Sequence, residues 1–208
     1  MIFPVSELYQ SRTGKNCLYN IMPIDNIPSV LKRGILCYDA ALRDDPNHVS
    51  ISMDEVQRRR DRVILPNGVR LHQYANLYFA YNNPMLYKRK AQAAELCVLA
   101  VSIHVLDLEG CVVSDQNAAS NYVRFFEPQE GVREIDFQKI HAQYWTHADD
   151  PYKEKQHKLI KCAEVLVPHC IPQSYIMGAY VVNGRAESRL AERGFSKQIL
   201  VRPRVFYR

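Results

Sequence analysis

The sequence predicts an α+β fold, and three observations carry that expectation. Strand-like and helix-like segments are mixed without regular βαβ alternation. The runs ELCVLAVSIHV (95–105) and KCAEVLVP (161–168) are apolar on both faces, as in strands covered on both sides. Neither GxGxxG nor GxxxxGK[ST] occurs, which argues against Rossmann and P-loop nucleotide sites.

The elements follow in order along 208 residues, a length that fits one domain spanning 1–208. CLYNI (17–21) reads as a strand. IDNIPSVLKRG reads as a short helix, with Ile27, Val30 and Leu31 on one face, Pro28 early and Gly34 at the C-terminal cap. SMDE (52–55) has the spacing of a capping box and opens a helix carrying Arg58, Arg59, Arg60 and Arg62. On that helix Val56 and Arg60 are four apart and share a face, so Arg60 is the arginine expected to point inward. PNG (66–68) is a turn. NLYFAY (76–81) reads as a strand, closed by Asn82-Asn83-Pro84. IDFQKIHAQYW (135–145) reads as a helix capped by Asp136, with Phe137, Ile140 and Tyr144 on one side. THADDP leads to a second helix rich in Lys and Glu. SYIMGAYVV (174–182) is a strand, Gly184 to Gly194 a short helix, and QILVRP a last strand.

Composition narrows the class. Apolar residues make up 47% and charged residues 24%, as in ordinary globular chains. The net charge of +5 suits a polyanionic partner or an anionic cofactor without selecting either. The six cysteines show no CxxC pair or zinc-type spacing, and several sit in apolar runs and read as small core residues. MIFPVSELYQ lacks the basic start and long apolar run of a signal peptide. A soluble, cytoplasmic, reduced protein is expected, with no membrane span.

One residue breaks the pattern. In KCAEVLVP, extended geometry puts Cys162, Glu164 and Leu166 on one face and Ala163, Val165 and Val167 on the other. A carboxylate in such a strand is costly unless it is paired. Two readings stay open from the residues alone: a structural ion pair, or a cleft carboxylate that does chemistry.

The order LYNIMPIDNIPSVLKRGIL, VQRRRDR, LHQYANLYFAYNNPMLY, SDQNAAS, IDFQKIHAQYW, KCAEVLVP resembles the DarT family of DNA ADP-ribosyltransferase toxins, over roughly residues 17 to 183. The resemblance implies an ADP-ribosyltransferase fold: two packed, twisted β-sheets forming a cleft, with helices around it. It implies NAD as donor, no metal, and a base of single-stranded DNA (thymine or guanine) as acceptor. It also implies a macrodomain antitoxin that reverses the modification; a monomer is expected. The competing readings are the same chemistry on RNA or protein, and an inactive nucleic-acid-binding relative.

The resemblance also assigns roles. Glu164 aligns with the catalytic glutamate, whose carboxylate would stabilise positive charge on the ribose as nicotinamide leaves. Arg60 aligns with the arginine beside it, suited to the NAD pyrophosphate or to the substrate. Asn20 stands where relatives commonly carry His, and Pro23 replaces another common His. Asn20, Ile21, Met22, Asn26, Leu36, Arg60 and Tyr78 are the expected NAD-binding residues. Tyr74, His72 and Asn117 are expected to touch substrate. Lys153, Lys155 and His157, with Tyr152 and Trp145 nearby, are expected to follow a single strand through cations and aromatic faces.

Overall fold

The computed structural model describes residues 4–45 and 47–208. In chain order the elements begin with α1 (Val5–Thr13), β1 (Cys17–Pro23), α2 (Ile27–Arg33), β2 (Ile35–Leu36), α3 (Tyr38–Asp44) and α4 (Asp54–Asp61). Then come β3 (Tyr74–Tyr78), α5 (Pro84–Lys88), β4 (Leu96–Ser102), β5 (Val112–Ser114) and β6 (Phe125–Phe126). The chain continues with α6 (Pro128–Glu134), α7 (Phe137–His141), α8 (Pro151–Ile160) and β7 (Glu164–Pro168). It ends with β8 (Cys170–Ile171), β9 (Ile176–Val181), α9 (Gly184–Glu192) and β10 (Gln198–Val201).

Eight strands run in the order β10-β9-β4-β1-β3-β7-β5-β6, and β2 pairs with β8 as a separate ribbon. Among the described residues, only β9 and β10 pair in parallel. The long sheet is two four-stranded halves. Within the first, β1 and β4 pair over seven residues, from Cys17↔Ser102 to Pro23↔Leu96. Across the join, β1 meets β3 at a single pair, Tyr19↔Tyr78. Beyond it the backbones part. The Asn20 side chain spans the gap, donating from Nδ2 to the Asn76 carbonyl at 3.0 Å. The α+β class is as expected, but the strands expected as two sheets are joined into one through the Tyr19↔Tyr78 pair, and the cleft opens where its halves diverge.

The main core lies around both halves and takes Val165 and Val167 from β7. A smaller cluster of Leu65, Leu71, Tyr74, Val112, Ala118 and Leu166 covers the opposite side of β7. Glu164 has the parity of Leu166, so its side chain projects to that side, as the alternation requires.

Several sequence expectations shift. No capping box forms at 52–55: Met53 is the N-cap without a side-chain bond, because the Ser50 and Ser52 hydroxyls bond each other at 2.6 Å. β3 starts at Tyr74 and ends at Tyr78, two residues before the expected start and three before the expected end. α7 is a little over one turn, capped by Asp136 as expected. It stops because the Ile140 and Ala142 carbonyls turn to accept from the buried Lys161 ammonium, leaving Tyr144 exposed. Trp145 is buried, edge-on to Tyr87 and Tyr207, so its face is not offered to a base. Gly34 fits because its φ is +81° and a Cβ there would lie 2.3 Å from the Ile171 carbonyl oxygen. All six cysteines are free thiols. Among the described residues, no helix is long and apolar enough to cross a membrane.

Candidate active site

A cleft of roughly 480 Å³ opens at the join of the half-sheets. Tyr74, Asn76 and Tyr78 line it, alternate residues of β3 that share one face. Facing them are Asn20, Ile21 and Met22 of β1, and Leu36 of β2. α4 contributes Val56, Gln57 and Arg60, as its helical phase suggests.

Glu164 sits beside this wall, one strand over, and is 0% exposed. Register places it opposite Tyr78 on β3. Its carboxylate accepts from Arg60 Nη1 at 3.1 Å (Oε1) and 3.0 Å (Oε2). The Ala118 N–H donates to Oε1 at 3.0 Å. The energetic anomaly of the sequence is thus resolved by a cation and a backbone amide. Arg60 and Glu164 are 104 residues apart in sequence, and Arg60 retains 11% side-chain exposure at the cleft. Burial, followed by the adjacent Glu164 carboxylate, raises the Tyr78 phenol above its ordinary range. The same two causes, in the same order, push the Cys162 thiol up to about 12, so this cleft thiol stays protonated.

α4 buries none of its residues. Polar contacts hold it instead. His72 packs against Tyr38 with ring centroids 4.2 Å apart and planes tilted by 32°, its Nε2 3.0 Å from Gln57 Oε1 and its Nδ1 3.4 Å from Asp61 Oδ1. Arg70 reaches Asp39 at 2.8 Å and Asp61 at 3.6 Å. Burial, then the nearby Arg60 charge, lowers the His72 pKa and favours the neutral ring. His72 lines the cleft, but its ring braces the arginine helix.

Asn20 bridges the two half-sheets with one end of its amide. Its Nδ2 is committed to Asn76, while the buried Oδ1 has no partner among the described residues. Swapping the amide would set oxygen against oxygen, so the orientation is fixed by chemistry. Asn20 borders the cleft, with its Oδ1 buried just beneath the wall.

Other expected site residues have different work. Asn26 lines the cleft, yet its side chain bonds both backbone groups of Val49, at 2.9 and 2.8 Å, and tethers that loop. Arg89 donates to the Ile51 carbonyl and tethers the same loop further on. Asn117 lines the cleft while its Oδ1 accepts from the Ala119 N–H at 2.9 Å. Tyr74 lines the cleft with its hydroxyl accepting from Asn67 at 2.7 Å. His157 corrects the expectation of a strand-following residue. It is buried, with Nδ1 2.9 Å from His147 Nε2 and Nε2 3.0 Å from the Lys139 carbonyl. Lys153 and Lys155 are exposed on α8 and lie outside the cleft wall, where Lys158 takes part.

Sequence reasoning missed Tyr38 and the Ala118 amide, and it grouped Lys161 with Lys153, Lys155, His157 and Lys158 as basic residues suited to a single strand, which its burial corrects. Lys161 is fully buried and donates to Asn82 Oδ1 (2.9 Å), Ile140 O (2.6 Å) and Ala142 O (2.8 Å). Burial lowers its pKa to about 8. A lysine at the edge of an apolar strand reads as surface; only its position just ahead of the carboxylate hinted otherwise.

The fold matches that of solved structures captured with ADP-ribosylated DNA and with NAD+. Over 92% of this chain and 96% of the other, it superposes on Thermus sp. 2.9 DarT in complex with ADP-ribosylated ssDNA, with a TM-score of 0.79 and 26% identity. The same Thermus protein in complex with NAD+ gives a TM-score of 0.74 at 25% identity, over 92% of this chain and 98% of that one. A DNA ADP-ribosyl transferase–DNA ADP-ribosyl glycohydrolase fusion protein of Thermosipho africanus is 30% identical over 191 residues, which cover 89% of this chain. This chain spans about half the length of that fusion, 47%. The family model described as ssDNA thymidine ADP-ribosyltransferase, DarT, matches residues 19–207. The chain belongs to this family.

Proposed function

We propose that the protein transfers ADP-ribose from NAD to thymine in single-stranded DNA. The observation that carries this reading is the buried Glu164 carboxylate, held by Arg60 and the Ala118 amide beside the cleft. Family membership supports the acceptor, since the matching model is described by ssDNA thymidine. The Thermus structures with NAD+ and with modified ssDNA support donor and polymer.

NAD supplies the ADP-ribosyl group, whose bond to nicotinamide breaks with positive charge gathering on the ribose. Glu164 offers a fixed carboxylate to that charge, rigid on β7 and shielded from water, where an electrostatic contact counts most. It also suits holding a ribose hydroxyl or taking the proton of the attacking base. Arg60 covers the carboxylate in the free protein, so the carboxylate is reached only when Arg60 turns away. α4, with no buried residue, lets it do so at little packing cost. The guanidinium then has phosphate oxygens or the base to bind. Asn20, Ile21, Met22, Leu36 and Tyr78 supply the wall around the donor, and Asn26 shapes it through the Val49 loop. Tyr74, His72 and Asn117 border the acceptor side. Lys153 and Lys155 act only on the path of the strand outside the cleft.

In the Thermosipho fusion a transferase and a glycohydrolase share one chain. By analogy this protein works beside a macrodomain antitoxin that removes its mark, as the toxin of a pair.

The test is incubation with NAD and short single strands, with and without thymine, read by mass. One ADP-ribosyl adduct is expected on thymine-containing strands and none with Glu164→Ala. Adducts on RNA or protein alone, or an active Glu164→Ala, would overturn the reading.

A further inference from the structure

We infer that Ser114 is a positioning residue for Glu164, its hydroxyl fixing both the strand that carries the carboxylate and the loop that donates an N–H to it. The inference rests on the reading of Glu164 as the catalytic carboxylate.

β5 and β7 pair at Val112↔Leu166 and Val113↔Val165. Continued by one step, the register sets Ser114 opposite Glu164, and there the ladder stops. The Glu164 N–H donates instead to the Ser114 hydroxyl at 3.1 Å. That hydroxyl donates in turn to the Gln116 carbonyl at 2.7 Å. Ser114 is fully buried, so both bonds are made away from water, where a lost partner is expensive.

The bond to Gln116 turns the chain leaving β5 back over β7. Two more ties shape the turn: Asn117 N–H to the Leu159 carbonyl at 3.0 Å, and Ala119 N–H to Asn117 Oδ1 at 2.9 Å. From this loop the Ala118 N–H reaches Glu164 Oε1 at 3.0 Å. The two holders of the carboxylate therefore differ in kind. Arg60 comes from a helix with no buried residue; the Ala118 amide comes from a loop with buried alanines and a hydroxyl relay at its root. When Arg60 turns away, the amide keeps Oε1 in place and leaves Oε2 for the ribose. A small displacement of such a group costs about a hundredfold in rate, so the hydroxyl acts on turnover through Glu164.

A hydroxyl that merely satisfied a strand end would affect stability alone. The test uses Ser114→Thr and Ser114→Val, side chains of one shape that differ in the hydroxyl, with Ser114→Ala beside them. NAD and a thymine-containing oligonucleotide are the substrates. We expect kcat to fall about ten- to hundredfold in Ser114→Val and Ser114→Ala. KM for NAD and for the oligonucleotide stays within about twofold, and Ser114→Thr regains most of kcat. Equal kcat in the Thr and Val variants, or a loss carried by KM alone, overturns the inference. Hydrogen exchange in the free protein gives a second readout that needs no turnover. The Ala118 amide should be protected in the parent and in Ser114→Thr, and lose protection in Ser114→Val. If the hydroxyl-free variants do not fold, the parent decides: an Ala118 amide exchanging as fast as an exposed loop overturns the proposal. An active Glu164→Gln would sink the reading of Glu164 while leaving this exchange result standing.

Discussion

Replacing Arg60 by Met removes the cation from a carboxylate that has no exposed surface. Glu164 is then left with one backbone N–H for two oxygens. Breaking a buried pair from one side costs about 3–5 kcal/mol, because the remaining charge keeps its desolvation penalty. Arg60 retains 11% exposure at the cleft, so water partly replaces it and the lower end, about 3 kcal/mol, applies. For a chain of this size that is roughly a 6–12 °C drop in Tm. Glu164→Gln should cost less, about 1 kcal/mol, since the freed guanidinium can reach solvent. The double variant Arg60→Met/Glu164→Gln buries no charge, so it should recover most of the loss. Urea unfolding of all four proteins at pH 7.5, compared at constant m, closes the cycle. If the double variant is no more stable than Arg60→Met, the charge was not what made the single change costly, and the electrostatic argument for the pair fails.

Three further outcomes follow from the same structure. Lys161→Met should cost about 3 kcal/mol at pH 7, since it strands three carbonyl and amide acceptors on two segments. With the folded pKa lowered to about 8 from 10.5, the unfolded chain holds the extra proton in that window. The parent therefore gains stability over Lys161→Met as pH rises from 8 to 9; a constant gap in urea midpoints refutes this. His141, whose pKa burial and then the Lys15 charge lower to about 4, binds its proton more readily when unfolded. The parent should lose stability as pH falls from 6.5 toward 4, and His141→Phe should not; parallel acid curves would count against the neutral buried ring. Asn20→Leu removes a polar group bordering the cleft and the bridge to Asn76, so KM for NAD should rise about tenfold in steady-state assays. An unchanged KM would mean that Asn20 does not shape the donor site.

Much of the frame was readable because it follows from local periodicity. The alternation in KCAEVLVP isolated Glu164, and the phase of Val56 against Arg60 chose one arginine among four. α7 was overextended because its end is set by Lys161, twenty residues on, and no local signal marks that. His147 and His157 are ten apart, and their mutual bond turned an expected substrate ligand into a structural one. Asn26 looked like a ligand contact, but its amide mimics a strand partner for Val49. The Ala118 amide was invisible for a more general reason: every residue has an N–H, and only the fold says which one is aimed at a carboxylate. Ser114 left a faint trace, a hydroxyl closing the apolar run VVS just before DQNAAS.

The account rests on Glu164 transferring ADP-ribose to DNA. Purified protein, NAD and a thymine-containing single strand, analysed by intact mass, test it in one step. We predict a strand heavier by one ADP-ribosyl group, located on thymine and absent with Glu164→Gln. An unmodified strand under conditions where NAD is consumed, or an adduct that persists in Glu164→Gln, would contradict it.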